Sequence, residues 1–408
     1  MQSNIFKRFF VLILIFLIPI SNAFARGGGG GSGGGGSGSG SSGGGSLLQP
    51  AVALMVFITI TIVGVYNRNK KLKQTKSLLE KAVSSDPAWG EAGIKQIASD
   101  TFNKFQKDWS DFNCDGMKSY LTESFYQRVS LELNVLKNQK RQNLMSDVYL
   151  GSVVVWNLKD NEGVNSDSVT LEMSASAKDQ LVDLECNKVL YTDSEPFIEY
   201  WTFVRVNSGW KLNLIEQATE DRAMREDSIA DFAERNKFFY DADFGWLMMP
   251  LNGVVFRKGN LTVSDINNHV IGSFKDKIVE FYTFIPNPQS FSKKNYIVAQ
   301  AILPIKYKDI LVRRKRMLFN LSPRGLRRVR TESNDFDRKF CLWAHPQDQI
   351  NSFELLTPDF MVKIYDLPFE LNIEIVDNIL YFYAESRKDI DYDVMLDLLG
   401  RAFDDMER

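Results

Sequence analysis

Histidine is nearly absent from this chain: two residues in 408, His269 and His345. That scarcity excludes His-rich metal sites and most His-based acid–base catalysis. Cysteine is scarce too. Cys114, Cys186 and Cys341 are odd in number and widely spaced, so no disulfide framework is expected. Cys341 and His345 stand four apart but lack two further ligands for a metal site. The chain has no G-x-x-x-x-G-K-[ST] phosphate loop, no H-E-x-x-H zinc site and no G-x-S-x-G nucleophile elbow. Glycine is sparse outside one stretch: residues 27–46 are Gly and Ser only and hold 14 of the 27 Gly, leaving 13 for the other 388 residues. The G-x-G runs lie only there, with no strand before and no helix after, so they are not dinucleotide fingerprints. No cofactor and no metal are expected. A net charge of −2, from 49 basic and 51 acidic residues, gives no general pull toward nucleic acid, and no DNA partner is expected.

What is present is ordinary for a globular protein, with 44% hydrophobic and 25% charged residues in a length that allows two or three domains. Lys7 and Arg8 precede an apolar run over residues 9–20 and then Ala23-Phe24-Ala25. This is the pattern of a cleaved signal peptide over residues 1–25, with a short uncleaved anchor as the alternative. Residues 26–46 have almost no side chains to bury and read as a flexible tether. Residues 47–66 carry no charge and as a helix are long enough to cross a bilayer. Arg68, Lys70, Lys71, Lys73 and Lys76 come directly after, against Arg26 alone on the other side. That imbalance places the C-terminal side in the cytoplasm. Residues 67–85 read as a basic juxtamembrane helix.

The stretch 86–217 changes period midway. Ile94, Ile97, Phe102, Phe105, Trp109 and Phe112 form one helical face, and Phe125, Val129, Leu133 and Leu136 another after Thr122 as a cap. Val169, Leu171, Met173, Ala175 and Ala177 then alternate as a half-buried strand. Residues 148–158, 197–206 and 210–216 read as further strands, with Asn207-Ser208-Gly209 as a hairpin turn. Helices leading into an antiparallel meander describe an α+β domain.

This stretch resembles the inner-membrane translocase subunit 44 family, the Tim-forty-four-like domain. The resemblance is carried by the helix with Phe102, Phe105 and Trp109, by Tyr120-Leu121-Thr122-Glu123, and above all by Phe197-Ile198-Glu199-Tyr200-Trp201-Thr202-Phe203-Val204-Arg205 with Gly209-Trp210-Lys211-Leu212 after it. It covers about a third of the chain. The order of signal, Gly-rich tract, single span and this domain is similar to bacterial members. The resemblance implies a cone-shaped fold like nuclear transport factor two, with a deep apolar pocket, and an adaptor role at a membrane. A long N-terminal chaperone-binding region is missing here, which weakens chaperone recruitment and leaves the adaptor role. Trp201, Phe203, Arg205 and Trp210 are the pocket or core candidates, with core packing favoured for the aromatics. Arg205 reads either as a pocket charge or as the partner of a carboxylate.

Residues 218–408 read as a second α+β domain. Apolar runs at 247–256, 278–285, 296–303, 317–321 and 340–344 are strands bounded by Gly, Pro or Asn. A helix over 349–365 is interrupted by Pro358, a hairpin turns at Asp377-Asn378, and 390–406 is an amphipathic helix. His269, beside Asn267-Asn268, reads as a turn residue. The sharpest chemical feature is residues 306–330, with ten basic residues against Asp309 alone. Arg313, Arg314, Lys315, Arg316, Arg324, Arg327, Arg328 and Arg330 are the candidates for an anionic partner. If its two parts face the same way, they grip phosphate of RNA or lipid headgroups. The competing reading pairs them with the acidic C-terminal helix, which has seven carboxylates between Asp389 and Glu407.

The sequence therefore points to a non-catalytic, single-pass adaptor at the cytoplasmic face of a bacterial inner membrane. Its partner is a protein, a ribosome or anionic lipid. The alternative is a domain that binds or isomerises a small apolar ligand in the cone.

Overall fold

The computed structural model describes residues 48–161, 166–218, 226–242, 253, 266–284, 295–315, 322–386 and 390–406, with side chains from Ile62 onward. The expected signal peptide and tether lie outside the described residues. So do the side chains of most of the expected span, the strand at 317–321, and all but Gly253 of the strand at 247–256. Among the described residues no helix is long and apolar enough to cross a membrane.

The chain is α+β, built on two antiparallel sheets. Helix α1 (Leu48–Ser85) runs without a break through the two segments that the composition divides at residue 66. At 1.5 Å per residue its 38 residues extend about 57 Å. Asp86 ends it and caps the short turn Pro87–Trp89 by accepting from the Ala88 amide. In α2 (Glu91–Ser110) Ile94, Ala98, Phe102, Phe105 and Trp109 recur at helical spacing and are all buried. After the short α3 (Cys114–Met117), α4 (Glu123–Asn138) starts where expected, with the Thr122 hydroxyl accepting from the Phe125 amide at 3.3 Å.

The first sheet comes next: β1 (Arg141–Lys159), β2 (Ser168–Asp183), β3 (Lys188–Asp193), β4 (Phe197–Val206) and β5 (Gly209–Gln217), in the order β1-β2-β4-β5 with β3 paired to β2. The alternation read at residues 169–177 is real, and those side chains meet α2 and α4 in one core with Trp201, Phe203 and Leu212. The Asn207–Ser208 turn has two positive φ angles, the backbone that matches hairpin twist.

Helix α5 (Asp227–Asn236) leads to β6 (Phe239–Asp241), β7 (Ile266–Phe274), β8 (Lys277–Phe284), β9 (Tyr296–Arg314), β10 (Arg327–Val329), β11 (Phe340–Ala344) and β12 (Leu371–Glu385). The second sheet runs β10-β11-β9-β8-β7-β6, with β12 on the other edge of β9. Helices α6 (Asn334–Lys339), α7 (Ser352–Leu355), α8 (Pro358–Tyr365) and α9 (Tyr392–Met406) complete the chain, and α5, α8 and α9 fill one sheet face with a core around Phe232, Phe281, Phe360 and Met395. Pro358 opens α8 at a first-turn position, as its missing N–H allows.

Two expectations fail here. Residues 369–384 do not fold back as a hairpin at Asp377-Asn378; β12 is one strand paired to β9 along its length. Asp377 takes a left-handed conformation (φ 54°) inside a bulge, so turn-forming residues bend the strand instead of reversing it. His269 is likewise not in a turn. It lies buried on β7, in a bulge where Asn268 has φ 54°.

The two sheets share a boundary. Ile271 of β7 belongs to the first core, with Phe239, Ile278 and Ile302 packed against it. The second domain is therefore docked on α4.

Candidate functional site

Three places bear on function: the interior of the first domain, the basic segment, and the junction between the domains.

Aromatic rings dominate the interior of the first domain. Trp201 is completely buried, 5.3 Å from Phe102 and 5.6 Å from Phe105 between ring centres, and its indole N–H donates to Glu199 at 2.8 Å. Phe203 is buried beside it in the same core. These rings pack together in the first core. Trp210 stands apart, edge-on to Trp89 at 5.0 Å, with its N–H on the Ala88 carbonyl at 3.3 Å. Arg205 is the partner of carboxylates rather than a pocket charge: it reaches Asp86 at 2.5 Å and Asp167 at 3.3 Å. It thereby fastens the end of α1 and the β1–β2 connection to β4. The hydrogen bond from Arg205 holds the Asp86 carboxyl below the usual carboxylate range, helped by the Ala88 amide.

Sequence reasoning named no buried carboxylates in this domain, yet Glu199 and Asp179 are fully enclosed on the inner face. Asn143 donates to Asp179 at 2.5 Å and accepts from Trp109 at 2.8 Å, while Gln217 donates to Glu199 at 2.7 Å. These carboxylates sit at inward strand positions, and only pairing register reveals which face a polar residue takes.

The basic segment forms an edge, not a plane. Arg313 and Arg314 end β9, Lys315 comes next, Arg327 and Arg328 lie on β10, and Arg324 and Arg330 flank it. Gly325, at φ 87°, makes the turn before β10. Arg316 lies outside the described residues. In the register Cys341 faces Arg313, Trp343 faces Arg328 and Ala344 faces Arg327. Since paired residues share a face, Arg313 and Arg328 project to one side of the sheet, and Arg314 and Arg327 to the other.

Their partners also differ. Arg313 donates from Nε and Nη2 to the Tyr383 hydroxyl at 3.1 and 3.0 Å, and the Lys315 ammonium donates to the Asp337 carbonyl. Lys306 bridges Asp377 at 3.0 Å and Glu185 at 3.4 Å. Arg314, Arg324, Arg327, Arg328 and Arg330 are exposed and form no ion pair or side-chain hydrogen bond among the described residues. Among the described residues the C-terminal helix makes its ion pairs elsewhere. Its Asp393 pairs with Arg235, Asp397 with Lys363 and Arg401, and Asp404 with Lys275. Among the described residues no ion pair joins the basic segment to α9, which lies with α5 and α8.

The junction holds a buried polar cluster. Arg128 of α4 reaches Glu132 at 2.9 Å and Asp241 of β6 at 2.8 Å. His269 and Glu280 are paired at 2.9 Å, Gln300 donates to Glu280 at 2.5 Å, and Tyr282 donates to Gln300 at 2.8 Å. Burial pushes the Glu132 carboxyl up against the pull of Arg128. Burial also works against the charge on Arg128, but Glu132 and Asp241 outweigh it and hold the guanidinium firmly protonated. In sequence, Arg128 and Glu132 stand at i, i+4 on α4, and nothing local marks the pair as buried. Among the described residues no cluster of three or more acidic, His or Cys side chains is arranged to hold a metal.

No known family profile and no curated protein matches this chain. Several solved structures align with parts of it, among them the following two. One is the mycobacterial trehalose monomycolate transport factor A, TtfA, with a TM-score of 0.34 and 13% identity over 45% of this chain and 93% of that one. The other is the intermembrane-space region of chloroplast protein ARC6, with a TM-score of 0.24 and 17% identity over 29% of this chain and 92% of that one.

Proposed function

We propose that the chain is a single-pass, membrane-anchored adaptor whose two domains lie on the cytoplasmic face of a bacterial inner membrane and hold a partner there without catalysis. One observation carries the reading. At its N-terminal side α1 leaves the protein surface while still apolar: Ile62 and Tyr66 are 63% and 66% exposed, with Val63 and Val65 exposed between them. Consecutive exposed positions cover every side of a helix, so this apolar turn stands free of the domain. The uncharged sequence 47–66 continues it, and a helix apolar all round is at home in a bilayer. The basic residues from Arg68 onward support a cytoplasmic position for both domains.

The unpaired arginines around β10 support an anionic partner at the far domain. The resemblance to the translocase subunit 44 family, resting on β4 and β5, supports an adaptor role of the same kind. The ligand-binding alternative has less support, because Phe102, Phe105 and Trp201 pack against one another in the first core.

Alkaline carbonate extraction of membranes from cells making the full chain tests the anchor: the protein should stay with the lipid. Protease added to spheroplasts should leave residues 86–408 intact. Release by carbonate, or digestion from outside, refutes the reading.

A further inference from the structure

The way α1 crosses the first sheet says which surface of the domain meets the lipid, if α1 is the anchor; this inference rests on that reading. Three contacts fix its course. At its C-terminal end Asp86 meets Arg205, whose amide donates to the Asp167 carbonyl just before β2. Halfway, the Thr75 hydroxyl donates to the carbonyl of Trp156, bulged between the rows that pair with Thr170 and Leu171. Near the exposed apolar turn, Arg68 grips Glu172 with two hydrogen bonds of 2.7 and 2.6 Å. Lys71 lies 4.0 Å over the Trp156 ring, which sits 5.4 Å from Tyr200.

Toward its N-terminus, then, the helix climbs β2 from residue 167 to residue 172. The next outward rows in that direction pair Ser174 with Ile198 and Ser176 with Tyr149. These outward positions carry apolar groups left open: Ile198 is 38% and Tyr149 67% exposed. Lys70 and Lys73 are exposed on the adjoining helix. Aromatic and aliphatic side chains rimmed by lysine suit the water–lipid boundary, where a ring enters the headgroups and an ammonium meets phosphate.

We propose that the outer face of the first sheet beyond Glu172, with Ile198 and Tyr149, rests on the headgroups of the bilayer that α1 enters, and that the Arg68–Glu172 clamp holds it there. No loop intervenes between anchor and domain, so the helix cannot leave the membrane at one angle while the sheet takes another.

The test uses the full chain in native membranes, with the photoreactive residue p-benzoylphenylalanine at position 149 or 198. Position 208, in the exposed β4–β5 turn near the Asp86 end of the sheet, is the control. Irradiation should give phospholipid adducts at 149 and 198, detected by mass spectrometry, at least tenfold above those at 208. Inserting Gly-Ser-Gly-Ser after Asn67 should leave the chain resistant to carbonate but lower the adducts several-fold. A carbonate-resistant chain with equal yields at 149, 198 and 208 overturns the docking surface and leaves the anchor standing. Yields unchanged by the insertion overturn the rigid link between the anchor and the sheet. Extraction by carbonate removes the anchor reading and the docking surface with it.

Discussion

At Trp201 one side chain does the work of a core. It touches two rings of α2 and satisfies its own N–H on Glu199. Trp201→Ala should cost about 3–5 kcal/mol, as large-to-small changes in a filled core do, and a denaturant titration reads it directly. Arg205 works differently, through charge. Its removal leaves the buried Asp167 without its guanidinium, and Arg205→Ala should cost about 3 kcal/mol. The pH dependence has a definite sign at Asp86. Its carboxyl titrates lower in the folded chain than in the unfolded one, so the pair's contribution is fully present above the ordinary aspartate value of about 4. It is lost as the pH falls through the folded value. Asp86→Asn should therefore lower the melting temperature at pH 7, and its gap from the parent chain should close on acidification toward pH 3.

At the scale of elements, β10 is the place where charge is left for a partner. It is a three-residue edge strand with Arg327 and Arg328 on opposite faces, and Arg324 and Arg330 beside it. Charges on an edge strand also discourage pairing with another chain, so these arginines suit a surface that binds anions without aggregating. Each basic residue near an anionic surface contributes about 1 kcal/mol. The double change Arg327→Glu and Arg328→Glu should weaken salt-sensitive binding to anionic vesicles or ribosomes by tenfold or more, with no change in melting temperature. The full chain in zwitterionic nanodiscs is the form to use. Arg313 belongs outside that set, because its guanidinium is engaged with the Tyr383 hydroxyl.

Elements with strong periodicity were legible in the sequence. The α2 face, the Thr122 cap, the alternating residues of β2 and the β4–β5 turn all arise from local rules that do not depend on distant partners. β12 and His269 show where local rules give out. Asp377-Asn378 and Asn267-Asn268 are turn-forming pairs, and both sit in bulges because a long partner strand keeps pairing past them. The junction cluster was illegible for a related reason: Arg128 and Glu132 become a buried pair only when a second domain covers them.

Considered as a whole, the molecule is two domains closed on a polar joint. Arg128 links α4 to β6, Asn378 of β12 reaches the carbonyl of Asn138 at the end of α4, and Ile271 plugs the first core. Arg128→Ala leaves the buried Glu132 without its guanidinium and cuts the link to Asp241, and should cost about 3–5 kcal/mol. The loss should fall on coupling: a single unfolding transition in the parent chain should split into two in the variant. Coincident transitions in both would mean that apolar contacts alone hold the joint.

If α1 is the anchor, the clamp between Arg68 and Glu172 turns it into a ruler. A flexible tether raises the local concentration of whatever it holds but sets no distance. Here α1 is fastened to the first sheet at Arg68 and Asp86, and the second sheet is docked on the first domain through Arg128 and Ile271, so the arginines of β10 stand at one height from the point where α1 leaves the domain. A partner is then selected by reach as well as by charge. One whose anionic surface lies nearer to the bilayer, or farther from it, is passed over however strongly it is charged.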